Sequence, residues 1–353
     1  MSFIARDVRV VVCAGTGGVG KTTIAAALAA QAAEEGRRVL VLTIDPSQRL
    51  KTTLGLSDSG ETSELKHPRI KGSLSAAVVN SKKTFDDFVL RSARSKESAQ
   101  RILNNKLYVQ LSTTLSGSQE FTALERLYEA VESGNYDLVI LDTPPAKHAM
   151  DFLKAPQKLG ALFQDKITRW FRDPKGGDKS FLVGIFQMGT KQVIKALEKL
   201  TGSEFVRELS DFFSSIQSWQ GELEERTNNV HRLLVAASTQ FVLVCSYDRS
   251  KLLEAFKFAK AIRQDGYHLH SLILNRAFPE WLANRQDRTF PSDPAGQMAA
   301  KWAGYFEERR KNSSILSELQ NQSVQIRELP EMKEDIRTLD GVFEIVDRLK
   351  EQT

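Results

Sequence analysis

The sequence predicts an α/β fold, a mostly parallel, largely covered β-sheet with an inserted α-helical subdomain. Three patterns predict it. Short β-branched runs are almost continuously apolar, as a strand covered on both faces requires. One such run passes through glycines into an alanine-rich helix and out into a second run, the strand–helix–strand unit of a parallel sheet. Between runs of this kind lie two long stretches whose apolar period is helical.

Taken in order, residues 8–13 form the first strand, residues 22–35 a helix with Gly36 as its expected stop, and residues 39–44 the second strand. Further strands are expected at 74–79, 138–141, 241–245, 272–274 and 324–329, and helices at 251–265 and 342–350. Residues 84–132 and 151–236 form the helical insert, which leaves 1–83, 133–150 and 237–353 as the core. Within the insert Phe205, Leu209, Phe212, Phe213, Ile216 and Trp219 share one helix face, either the core of a bundle or a trough for an apolar partner helix. Residues 173–178 read as a loop inside the insert, and residues 278–294, with three prolines, as a second irregular segment.

With 353 residues, 41% of them apolar, the chain can bury a large core, so disorder is not the expected state. Lys and Arg outnumber Asp and Glu by 49 to 44 with the signs interleaved, and no basic stripe favours nucleic acid. Cys13 and Cys245 sit far apart in apolar runs, without a CxxC or Cys/His cluster, and read as core thiols. His268 and His270 alternate at a strand start without a third ligand, which argues against a metal site there. No apolar run is long enough to span a bilayer, and the N-terminus shows no leader pattern. With no disulfide spacing either, the expected compartment is the cytoplasm.

The chemistry is carried first by Gly15-Thr16-Gly17-Gly18-Val19-Gly20-Lys21-Thr22. A phosphate chain needs several donors converging on it, and glycines let the backbone turn tightly enough to aim successive N–H groups at one anion. The pattern G-x-x-x-x-G-K-T falls between a strand and a helix, the context that marks the phosphate loop of a P-loop NTPase. Lys21 is expected to reach the β and γ phosphates and Thr22 to place a hydroxyl on Mg²⁺, with the helix N-terminus adding its positive dipole end. Phosphoryl transfer is mostly positioning and charge neutralisation, so a second carboxylate near Mg²⁺ and a group that orients water are also expected. Asp142 ends a buried run at 136–141 and is the metal-shell candidate. Asp45 ends the second strand, in Thr43-Ile44-Asp45-Pro46, and is the candidate for orienting or activating water. The expected reaction is hydrolysis of ATP to ADP and phosphate, with Lys21 and Asp45 as the catalytic candidates.

In order along the chain, Thr16-Gly17-Gly18-Val19-Gly20-Lys21-Thr22-Thr23, then Asp45-Pro46-Ser47, then Asp142-Thr143-Pro144-Pro145-Ala146-Lys147-His148, then Asn275-Arg276 resemble the ArsA and Get-pathway family. These deviant-Walker ATPases drive arsenite efflux or deliver tail-anchored membrane proteins. The resemblance covers nearly the whole chain, and the Asp-Pro-Ser and Asp-Thr-Pro-Pro segments are its more specific part. It implies that Asp45 is the hydrolytic aspartate of switch I and that residues 142–148 are switch II, which senses the γ phosphate. It also implies that Asn275 binds adenine at a strand end and that Leu329-Pro330 packs on the base. The family further implies a dimer, either a homodimer or a heterodimer with a related ATPase subunit, and a helical subdomain that handles a hydrophobic or membrane-protein client.

Three departures stand out. The family's first loop lysine, which reaches across the dimer, falls at Thr16. Arg49, four residues after Asp45, either supplies part of that charge or is a surface arginine. The CxxC that binds zinc between subunits is missing, so no zinc is expected. The cysteines that bind arsenite are absent from the helical region, so arsenite activation is not expected. His148 lies in the presumed switch II, as a structural residue or a hydrogen-bonding one. Three outputs stay open: a switch that handles a hydrophobic segment or protein client, a regulatory or stress-linked ATPase acting on a protein assembly, and the pump-driving subunit of an anion exporter.

Overall fold

The computed structural model describes residues 3–44, 61–93, 95–105, 108–109, 118–144, 152–154, 220–277, 279, 289–320 and 324–351. Asp45, Arg49, residues 145–148, the loop at 173–178, the stripe at 205–219 and most of 278–288 lie outside these residues. The chain divides into two compact units, one of Met1–Val79, Leu127–Met150 and Arg232–Thr353, the other of Asn80–Arg126 and Asp151–His231.

The first unit holds an eight-stranded sheet: β1 (Val10–Gly15), β2 (Arg38–Thr43), β3 (Ser63–Leu65), β4 (Ser73–Val78), β5 (Leu138–Asp142), β6 (Thr239–Cys245), β7 (Leu269–Ala277) and β8 (Gln325–Pro330). Their spatial order is β3-β4-β2-β5-β1-β6-β7-β8. Every pairing is parallel except that of β3 with β4. The α/β class and the parallel sheet expected from the apolar runs are thus present. β1 runs two residues further than the apolar run suggested, into Gly15 itself. β7 is longer than expected, and β3 was not expected at all.

The strands β1, β5 and β6 are buried along nearly their whole length, which explains why their sequences do not alternate. On one face Val11, Cys13, Val39, Val41, Ile140, Val242 and Val244 pack with α1 (Lys21–Glu34). This helix is buried on almost every side, and alanine is the residue that lets a helix be hemmed in so closely while keeping its propensity. Its outer side meets the C-terminal helix (Leu339–Glu351) through Val342, Phe343, Val346 and Leu349. Arg69 ties the same layer together, bonding Glu34 at 2.9 Å and Asp347 at 2.6 Å while its guanidinium lies 4.6 Å from the Phe343 ring.

In the second unit α2 (Ser81–Ser92) and α3 (Lys96–Leu103) pack together. Both carry side-chain caps, Asn80 accepting from Lys83 N–H and Ser95 from Ser98 N–H. α4 (Ser118–Glu132) brings Phe121 edge-on to Phe88 at 5.8 Å, and α5 (Gln220–Val235) brings Arg226 to the fully buried Glu125, its Nε donating at 3.0 Å. Most of the described residues of these stretches are helical, as the period read from the sequence predicts.

Back in the first unit, α6 (Arg249–Gln264) follows β6 and packs against β6 and β7. α7 (Pro294–Lys311) starts where the irregular segment was expected to end, with Pro294 in its first turn and Asp293 accepting from Gly296 N–H at 2.6 Å. Among the described residues, no helix is long and apolar enough to cross a membrane.

Candidate functional site

The strand order reverses at β1, which lies between β5 and β6, and the crevice at the C-terminal ends of such strands is where open parallel sheets bind ligands. The glycine loop rises at this point. Gly15 is forced by packing, since a Cβ there would lie 2.1 Å from the Val244 carbonyl oxygen of β6. Gly18 and Gly20 have φ of 74° and 87°, the left-handed region that L side chains avoid. Alternation of this kind turns successive amides to one side and makes an anion nest. Gly20 also caps α1, so the first amides of the helix open toward the same loop.

Three carbonyls of the loop are held by hydrogen bonds. Asn275, at the end of β7, donates from Nδ2 to the Val19 carbonyl at 2.7 Å. Lys251, in the first turn of α6, donates from Nζ to the Gly17 carbonyl at 3.0 Å. The Gly20 carbonyl accepts from Ile24 N–H at 3.0 Å.

Lys21 opens α1 and is buried, while Thr22 donates its hydroxyl to Asp142 Oδ2 at 2.6 Å. Asp142 ends β5 with Cys13 and Thr43 as its register partners, and Thr43 also donates to Oδ2, at 3.1 Å. One residue on, Thr143 sends its N–H to the Cys13 carbonyl at 3.1 Å, and its hydroxyl reaches the same oxygen at 3.1 Å. Burial, and secondarily the Asp142 carboxylate, pushes the Cys13 thiol far up, so it stays protonated and unreactive inside the core.

The structure thus brings together Gly15 through Thr23 with Asp142, and it places Asn275 beside Gly20, where a Cβ would lie 2.4 Å from Asn275 Nδ2. Pro330 ends β8 with Ala277 as its register partner, past an irregularity in β7 at which Arg276 takes a φ of 54°. Thr16 is fully buried, its hydroxyl finding no partner among the described residues. Asp45 lies outside the described residues, two positions after Thr43. Sequence reasoning did not single out Thr43, Thr143 or Lys251. For Lys251 a local signal existed, a cation in a helix first turn that holds no acidic residue, against the usual dipole preference.

The residues fit the ligands that the loop pattern implies. Thr22 and Asp142 offer hard oxygen donors, the type that Mg²⁺ prefers. Gly18 is exposed with open space beside it, and the Gly17 and Val19 carbonyls are already hydrogen-bonded, which leaves the Gly18 and Gly20 N–H groups on the opposite side of their peptides for an anion. Among the described residues, no group of three or more His, Cys, Asp or Glu gathers as a separate metal site.

Comparison with known proteins gives a family. The profile of the anion-transporting ATPase family matches residues 8–350. The chain is 23% identical over 287 residues to a protein of Aquifex aeolicus named for an arsenical pump-driving ATPase, covering 79% of this chain and 82% of that protein. It is 25% identical over 280 residues to ATPase GET3 of Phaeosphaeria nodorum, covering 78% of each. With ATPase asna-1 of Caenorhabditis elegans it shares 23% identity over 283 residues, 76% of this chain and 75% of that one.

Proposed function

Because the chain belongs to the anion-transporting ATPase family and is an ATPase, we propose that ATP hydrolysis at the glycine loop drives a switch read out by the helical second unit. The observation that carries this reading is the Thr22–Asp142 hydrogen bond set against a loop of left-handed glycines.

In this reading the loop amides and the start of α1 bind the phosphate chain, and Lys21 places its ammonium against the phosphate oxygens. Thr22 and Asp142 are the residues that would hold Mg²⁺, which when bound would neutralise charge on the β and γ phosphates. Asp45 orients the attacking water and accepts its proton. Asn275 keeps one amide hydrogen on Val19, which leaves its other hydrogen and its oxygen for adenine, and Pro330 packs on the base.

The path of the chain favours coupling to the second unit. β4 ends at Val78 and the second unit begins at Asn80; β5 ends at Asp142, and the chain re-enters that unit at Asp151. A change at Asp142 is passed along residues 143–150 to a helical unit that handles a hydrophobic segment or another protein. We read the working form as a cytoplasmic dimer.

Purified protein should hydrolyse Mg·ATP, and Lys21→Ala should lose about a hundredfold or more in kcat/KM. Hydrogen exchange in residues 80–126 should differ between an ATP analogue and ADP. Identical exchange in the two states would end the switch reading, and undiminished turnover in Lys21→Ala would end the site itself.

A further inference from the structure

Lys251 stands out among the cations of the first unit. It is half-buried, its Nζ lies 3.0 Å from the Gly17 carbonyl, and among the described residues no carboxylate pairs with it. Its helix holds Arg249 and Lys251 in the first turn with no acidic residue, and the N-cap residue Asp248 makes no capping bond. Asp248 is instead engaged by Arg309 at 2.8 Å and by Ser246 at 3.1 Å. The charge of Lys251 is thus directed to a backbone oxygen of the phosphate loop rather than to an ion pair.

The geometry of the peptide unit gives this contact a meaning. In a trans peptide the C=O and the following N–H point in opposite directions within one rigid plane. Fixing the Gly17 carbonyl on one side therefore aims the Gly18 N–H to the other, and Gly18 is exposed. Asn275 does the same two peptides later, holding the Val19 carbonyl and so aiming the Gly20 N–H. The two grips differ in charge. An ammonium on a carbonyl oxygen polarises the whole peptide and makes its N–H a better donor to an anion.

We propose that Lys251 is a positioning residue for ATP: through the Gly17 carbonyl it aims and polarises the Gly18 N–H toward the phosphate chain, from within the same chain. Thr16, the neighbouring side chain in the loop, is fully buried and cannot serve that end from the surface. This inference rests on the nucleotide site proposed above.

The test compares Lys251→Met and Lys251→Arg with the unaltered protein, using a non-hydrolysable ATP analogue, ADP and adenosine as probes. Lys251→Met should weaken the ATP analogue about tenfold and ADP less, and leave adenosine unchanged, while Lys251→Arg stays within about threefold. In protein labelled at glycine with ¹⁵N, the Gly18 amide proton should move downfield on analogue binding, and should move less in Lys251→Met. Melting curves of the two variants should coincide. Unchanged affinities in Lys251→Met, or equal losses in both variants with the Gly18 resonance moving as in the unaltered protein, would overturn the proposal. If the unaltered protein binds adenosine but no better the ATP analogue, the phosphate site falls, and this inference with it.

Discussion

On the β5 side of β1, the phosphate loop is joined to the sheet by side chains meeting side chains, Thr22 and Thr43 on Asp142; on the β6 side, Lys251 and Asn275 grip the loop's own carbonyls. The first flank gathers oxygen atoms suited to a cation. The second decides where the amides between the carbonyls point, and in the proposed reading Asn275 keeps its remaining amide hydrogen and its oxygen for the base. Substitutions on the first flank should therefore fall mainly on turnover, and those on the second mainly on affinity.

The largest effect is expected at Asp142→Asn, which removes the charge on which both threonines converge. It should cost about a hundredfold or more in kcat and weaken the dependence of rate on Mg²⁺, as steady-state kinetics across a magnesium series would read. A kcat within a few-fold of the unaltered enzyme would dissolve the first flank as a chemical unit. Next comes Gly20→Ala, which combines a left-handed backbone with a Cβ pressed on Asn275. The left-handed conformation alone costs about 1–2 kcal/mol, and KM for ATP should rise about tenfold or more while the fold persists by circular dichroism.

Asn275→Ala should raise KM about fivefold, in keeping with the loss of one hydrogen bond worth about 1 kcal/mol, and leave kcat within about twofold. Equal losses in kcat and KM would blur the distinction between the flanks. The smallest effect should come from Arg69→Ala, far from either flank in sequence and bonded to neither. It should lower stability by about 1 kcal/mol, because partly exposed ion pairs contribute little, and leave KM unchanged.

The same cluster predicts a pH dependence. The Arg69 hydrogen bond holds the Asp347 carboxyl below its usual range; at Glu34 burial pushes the other way, but the bonds from Arg69 and Lys350 outweigh it. Carboxyls depressed in the folded state contribute stability above their unfolded values, and the contribution is lost as pH falls through the folded values. The stability gap between the unaltered protein and Arg69→Ala should therefore be full near neutrality and close below about pH 4, as melts in that range would show.

What was legible in the sequence depended on how local its cause is. The run from Val10 into Gly15, the helix from Lys21 and the aspartate at the end of β5 each follow from residues adjacent in the chain, so spacing alone located them. β3 is three residues on an antiparallel edge, too short to establish a period. α7 carries a readable start in Asp293-Pro294, but Met298, Trp302 and Tyr305 face outward, and an exposed apolar row obscures the buried one. The contacts of Thr43 and Lys251 follow from strand order: only because β5 and β6 flank β1 do residues 43, 142, 251 and 275 converge on one loop. The chain's linear pattern does not encode that order in any single window.

Thr143 is stitched to the Cys13 carbonyl by its amide and within reach of it by its hydroxyl, so the first residue beyond Asp142 is anchored to the central strand. Pro144, which follows, has its φ fixed by its ring, so of its two backbone torsions only ψ is free to rotate. The chain therefore leaves the sheet next to Asp142 with its departure point fastened to the central strand and its first torsion beyond that point already set.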